Sequence, residues 1–174
     1  YSSDMEKRVL DVEAEVDLYE DKLGTYLVRI SGKELSVADS REVSRLLHCI
    51  GDLERISDHA VNIQQVAAEI HEKKITFSDD AVKEMMTARK AVEEIVDLAI
   101  DSFTADDLTL AIQVEPLEQV VDLLKTQMKA RHVSRLQAGN CTIETGFVFS
   151  DLVTNYERIA DHCSNIAVCI IEIS

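Results

Sequence analysis

The chain has 174 residues, 46% of them hydrophobic and only one of them proline, with a formal net charge of −15. The apolar content argues against a disordered polymer, and the charge argues against nucleic acid or anionic lipid as a partner. An acidic surface of this size favours cations or a basic partner, although most of its carboxylates are accounted for as a solvated face.

No stretch approaches the roughly 18 apolar residues that a membrane span needs, and no secretory leader is evident. The expectation is a soluble chain, or a soluble part of a larger protein. Cys49, Cys141, Cys163 and Cys169 show no CxxC spacing. They are expected to be reduced, mostly buried thiols rather than a zinc site or disulfides.

Helical periodicity runs through the whole sequence and strand alternation does not. Ser3-Asp4-Met5-Glu6 reads as a capping box, followed by Met5, Val9, Val12, Val16, Leu23, Leu27 and Ile30 at roughly helical spacing up to Ser31-Gly32. Ser36 caps a second helix that runs to about His71, and Ser78 caps a third that ends near Thr104-Ala105-Asp106-Asp107. A fourth helix reaches about Leu136, with Pro116 inside it predicting a kink or a restart. Gly139-Asn140 turns the chain into a fifth helix that begins near Thr142 and continues to the end. The fold class is therefore all-α, a bundle of antiparallel helices joined by short loops.

The clearest signal is a repeat. Glu54-Arg55-Ile56-Ser57-Asp58-His59-Ala60-Val61-Asn62-Ile63 recurs 103 residues later as Glu157-Arg158-Ile159-Ala160-Asp161-His162-Cys163-Ser164-Asn165-Ile166. A second pair sits on the preceding helices, where Glu13 and Asp17 are matched 105 residues later by Glu118 and Asp122. Each half thus carries Glu-x-x-x-Asp twice, on helices that a short turn makes antiparallel. Glu and Asp at i, i+4 share a helix face and repel by a few tenths of a kcal/mol, a cost that a bound cation reverses. One such pair is ordinarily a solvated face. Four placed symmetrically point to metal, and hard oxygen donors suit magnesium, manganese, calcium or iron. Asn62 and Asn165, one turn further on, are candidate additional ligands or local caps. Arg55 and Arg158 are expected to pair with the neighbouring carboxylates, or else to bind an anion. His59 and His162 follow Asp directly and so point about 100° away from it, toward a cap, an ion pair or an interface.

The two halves divide at residues 1–77 and 78–174, and they are unequal: the third helix has no counterpart in the first half. A two-helix half leaves one face bare, so the expectation is that the missing helix lies upstream in a longer protein. No nucleophile elbow, phosphate loop or Ser/His/Asp constellation is present, so an enzyme is not expected. Metal-dependent phosphohydrolysis is the rival from that class.

These residues, Leu53 to Ile63 and Tyr156 to Ile166, resemble the duplicated signature of the PhoU family. The resemblance implies two tandem three-helix repeats, with the first helix of repeat one apparently missing here. It implies metal clusters held by Glu13, Asp17, Glu54, Asp58, Glu118, Asp122, Glu157 and Asp161, with iron, zinc, manganese or magnesium as the ion. It also implies a regulatory role in phosphate uptake, on the cytoplasmic side of a membrane, with a phosphate transporter as partner and a homodimer as one assembly. The segment from Arg131 to Leu152 is similar to the PhoU-like cytoplasmic domain of sodium/phosphate cotransporter-related proteins, which implies a transporter in the same full-length chain. The other reading within the family is a free-standing regulator of a phosphate ABC transporter and its sensor kinase.

Overall fold

The computed structural model describes residues 1–172, and all of its regular structure is helical. The five helices are α1 (Ser3–Ser31), α2 (Val37–Glu72), α3 (Asp79–Ala105), α4 (Leu108–Gln137) and α5 (Ile143–Ile171). The expected continuation of α5 to the chain end covers residues 173–174, which lie outside the described residues.

Four of the helices start where a side chain takes up an orphan backbone N–H. Ser36, Ser78, Asp107 and Thr142 accept from Asp39, Ala81, Thr109 with Leu110, and Thr145 respectively. α1 differs from the expectation: its N-cap is Ser2, and no side-chain hydrogen bond closes it. Between α4 and α5, Gly139 takes the left-handed φ of +71° that a side chain disfavours, and Asn140 N–H donates to Arg135 O at 2.9 Å. Pro116 does not break α4, which runs unbroken through it.

α3, α4 and α5 each pack against the other two, whereas α1 packs on α2 and on no other helix. α2 and α5 join the two groups. The largest core cluster draws Val92, Ile95 and Ala99 from α3, Ala111, Val114 and Val121 from α4, and Ile159, Cys163 and Ile170 from α5, with Ile56 and Ile63 of α2 against it. Toward the α4–α5 turn, Phe149 packs with Ala81, Met128 and Val153. His132 stacks on its ring at 5.0 Å, and Arg135, which bonds Glu84 through both terminal nitrogens, lies over it at 5.4 Å. Val66 meets Val148 and Leu152 along the α2–α5 seam.

α1 contributes only Leu27 to the buried set. Its less exposed positions are Glu6, Val9, Glu13, Val16, Glu20, Gly24, Leu27 and Ile30, alternating three and four apart except at Gly24, so a heptad seam rather than a broad apolar face rests on α2. Met5, Val12 and Leu23, which the periodicity placed in the stripe, are about half exposed at 56, 49 and 45%. The four cysteines are free thiols. Burial pushes the Cys49 and Cys163 thiols up to about 12, so neither is a ready nucleophile. Among the described residues, no helix is long and apolar enough to cross a membrane.

Candidate metal centre

The heptad seam decides which carboxylates meet. Glu13 is a seam position of α1, and Asp17 lies one turn on along the same face, so both turn toward α2. Asp58 comes from α2. One oxygen from each of Glu13, Asp17 and Asp58 lies within 4.8 Å of the other two. Ligands of one octahedral ion with bonds of 2.0–2.1 Å stand roughly 3 Å apart where adjacent and roughly 4.2 Å apart where opposite, so the three oxygens would have to draw together by up to about 2 Å to share one ion. Glu54, the fourth carboxylate expected here, is outside this group. Its Oε2 faces Arg55 Nε at 3.5 Å. Burial, then the charge of Asp58, raises its carboxyl above the usual range; Asp17 and Glu20 add to the rise and Arg55 opposes it. Glu54 therefore sits in the field of the cluster without converging on its centre.

The second cluster is built from the same positions but filled differently. Burial first, then Glu115 and Asp161, raises the Glu118 carboxyl, with Asp122 and Glu157 adding to it. Burial and Glu157 raise Asp161, against Arg158, Lys125 and His162. The four carboxylates therefore feel one another. Beside two of them, however, is an ammonium: Lys125 Nζ lies 2.5 Å from Glu157 Oε1 and 3.8 Å from Asp122 Oδ1. Glu157 is a buried member of the set, and its Oε2 has no hydrogen-bond partner, facing Arg158 Nε at 3.8 Å. No three carboxylates of this half converge as those of the first half do, among the described residues.

The two arginines lie along their own helices. Arg55 pairs with Glu54 and, at 3.9 Å, with Asp58; Arg158 pairs with Glu157 and, at 3.3 Å, with Asp161. Both are exposed, and the ion-pair reading describes them. His59 and His162 sit in the α2–α5 interface with their rings stacked at 5.7 Å. His162 Nδ1–H donates to Asp52 at 2.8 Å, and His59 Nδ1–H donates to Asn155 at 2.8 Å. Asp52 and Asn155 are themselves repeat-mates, so the two histidines exchange hydrogen bonds across a local pseudo-two-fold. Asn165 also donates to Asp52, at 3.0 Å, which turns it from the carboxylate cluster toward the interface. Asn62 is exposed. Lys125, Glu20 and Asp52 are the site residues that the motif reading missed. Carrying the repeat comparison three residues past Asp17 and Asp122, and two residues ahead of Glu54 and Glu157, reaches all of them.

A helical chain with an internal repeat, a histidine-bearing seam between its halves and a carboxylate cluster on each inner helix pair defines a tandem-repeat helical domain. The PhoU domain family matches it over residues 2–67 and 80–170, and the chain belongs to that family. It is 28% identical to a phosphate-specific transport system accessory protein PhoU homolog of Thermotoga maritima over 126 residues, which are 72% of this chain and 53% of that protein. It is 24% identical over 172 residues, 96% of its length, to a Salmonella typhimurium protein whose name assigns it to inorganic phosphate export, and covers 31% of that protein. The chain therefore spans about half or less of these two relatives. The crystal structure of PhoU from Pseudomonas aeruginosa superposes with a TM-score of 0.90 at 24% identity, over 99% of this chain and 82% of that one. Most of the curated relatives carry the name of a phosphate transport accessory protein, which favours the free-standing reading over the expected transporter-linked one.

Proposed function

We propose that this chain is a non-catalytic regulatory domain of phosphate transport, of the kind found in accessory proteins, which acts on a membrane phosphate transporter from the cytoplasmic side. Membership of the PhoU family over both halves is the observation that carries this reading. The two matched segments fit a division into repeats at residues 1–77 and 78–174. A second reading, as the regulatory part of a longer phosphate-transport protein, is favoured by the Salmonella relative, which this chain matches over nearly its whole length.

Within this reading, Glu13, Asp17 and Asp58 hold a divalent cation, with Glu54 in its field. All the donors are carboxylate oxygens, which suits magnesium, manganese or iron better than a thiolate-preferring metal, and zinc is accommodated through the carboxylates. The bound ion supplies charge neutralisation. The residues themselves do the positioning: two on α1 and one on α2 face each other across a pair in which α1 packs on no helix but α2. Cation binding would fasten α1 to α2 and offer a transporter or a second copy of the chain a firmer surface.

In a bacterial strain that lacks its own accessory protein, this chain should restore control of a phosphate-responsive reporter, and a Glu13→Gln/Asp17→Asn/Asp58→Asn variant should restore less. Failure of the unsubstituted chain to restore any control would sink the regulatory reading. Elemental analysis after chelator-free purification should find metal that the variant lacks, and Mn²⁺ should slow amide exchange along α1. Turnover of a phosphate monoester that is abolished by Asp58→Asn would instead favour the hydrolase.

A further inference from the structure

We infer that Lys125 is the resident cation of the second carboxylate cluster and keeps divalent metal from it, so that metal loads the first cluster alone. The inference rests on the metal reading above and sharpens it to one half of the molecule.

The two clusters occupy equivalent places. α1 and α4 show matching seam positions, with Glu13 opposite Glu118 and Val16 opposite Val121 in the repeat. One seam step further, α1 carries Glu20 and α4 carries Lys125. The sign of the charge at this seam position is therefore inverted between the halves. In the second half, Lys125 reaches Glu157 and Asp122 while Arg158 reaches Glu157 and Asp161, so three of the four carboxylates already stand beside a cation. In the first half, among the described residues, Arg55 is the one basic side chain paired with the cluster, and it lies beside Glu54 and Asp58 rather than between the helices.

A metal ion at Glu157 and Asp161 would have to displace an ammonium already 2.5 Å from the Glu157 carboxylate. Lys125 is mostly buried, with its side chain 23% exposed, so solvent screens its attraction to Glu157 only weakly. The partnerless Glu157 Oε2 does not ask for a metal, because Lys125 and Arg158 flank that carboxylate from both sides. At the first cluster the cation to be displaced is Arg55, which stands 3.9 Å from Asp58 and is exposed.

The test is Mn²⁺ titration, read by calorimetry and by the electron paramagnetic resonance of free Mn²⁺. Asp17→Asn/Asp58→Asn should weaken binding by at least about tenfold, the scale of a perturbed metal site, and Glu118→Gln/Asp122→Asn should leave it unchanged. The reverse pattern, or equal losses in both, overturns the inference. Lys125→Glu placed in the Asp17→Asn/Asp58→Asn background should create Mn²⁺ binding that Glu118→Gln then removes. A folded Lys125→Glu variant with no added binding also overturns it. Should the unsubstituted chain bind no Mn²⁺ while Lys125→Glu does, the metal reading of the first half fails and the role of Lys125 stands. Should Lys125→Glu not fold, the two carboxylate variants still decide.

Discussion

Helices α1 and α4 place their inward side chains at matching positions, yet α4 is packed between α3 and α5 while α1 rests on α2 alone. The same seam serves two purposes. In α4 it is the face of a closed three-helix core, with Ala111, Val114, Val121 and Met128 all buried. In α1 it is a narrow contact whose acidic positions face α2, and only Leu27 falls below a tenth exposed. The contrast continues in the charges. Glu157, the buried carboxylate of the second cluster, has Lys125 as its counter-ion, because a buried carboxylate left unpaired is costly. In the first cluster, among the described residues, Glu13 and Asp17 have no basic partner and Asp58 has Arg55 at 3.9 Å. The second cluster thus has two cations beside it, Lys125 and Arg158, and the first has Arg55.

The largest effect that tests this contrast is on the core. Phe149→Ala should cost about 3–5 kcal/mol, since the ring is fully buried among Phe77, Met128 and His132. Leu27→Ala should cost about 2 kcal/mol, the low end for such truncations, because one helix rather than two closes over it. Urea denaturation measures both, and equal losses would break the comparison. Next comes the charge inversion. Lys125→Met leaves the Glu157 carboxylate with Arg158 alone, at 3.8 Å, and should cost about 2–4 kcal/mol near neutral pH, somewhat under the figure for a fully buried broken pair. Glu20→Gln at the equivalent place in α1 should stay within about 0.5 kcal/mol. If the two variants melt alike, Lys125 is a surface lysine and the halves do not differ as argued.

How far the sequence discloses this molecule can be read from particular residues. The helices were legible because Ser36, Ser78 and Thr142 are strong caps and Gly139 is a strong stop, and each acts locally. The repeat was legible because Glu, Arg, Asp, His and Asn recur at fixed spacing, which helix propensity does not require. What could not be read was tertiary. Nothing local to Glu54 says that its carboxyl turns to Arg55 instead of joining Asp58. Nothing local to Asn165 says that Asp52, on another helix, will take its amide. Met5, Val12 and Leu23 looked inward because the stripe was drawn for a broad buried face, and α1 has only a seam. The family signature was plain, but its attribution to a transporter-linked branch drew on a segment that relatives of another kind also match.

The third effect contrasts two glycines. A Cβ on Gly146 would stand 2.6 Å from Nε2 of His132, whose ring is held against Phe149 and cannot easily retreat. Gly146→Ala should therefore destabilise by about 1–2 kcal/mol even after the gain in helix propensity. A Cβ on Gly51 in α2 meets nothing within 4 Å, so Gly51→Ala should stabilise by about 0.5–1 kcal/mol. Thermal melts of the two variants should move in opposite directions.

The smallest effect is the pH dependence, because the groups concerned are partly exposed and act in opposition. Burial and neighbouring carboxylates raise Glu54, Glu118 and Asp161 above their usual range. A carboxyl raised in the folded chain holds its proton where the unfolded chain has released it. Stability from these groups therefore falls as pH rises from the ordinary carboxylate value, about 4, through the raised one. Acidifying from neutral toward pH 5 should raise the melting temperature through them. His132 works the other way. Burial lowers its value, so below its ordinary value of about 6.5 the unfolded chain takes up a proton that the folded chain refuses, and stability falls as pH falls. A His132→Asn variant should therefore gain more from acidification than the unsubstituted chain does. Two of the three raised carboxyls lie in the second cluster, so Glu118→Gln/Asp161→Asn should remove more of the gain than Glu54→Gln. Saturating Mn²⁺ should offset the rise of Glu54, because the ion's charge favours the ionised form of a neighbouring carboxyl, while leaving that of Glu118 in the cluster that Lys125 keeps free of metal.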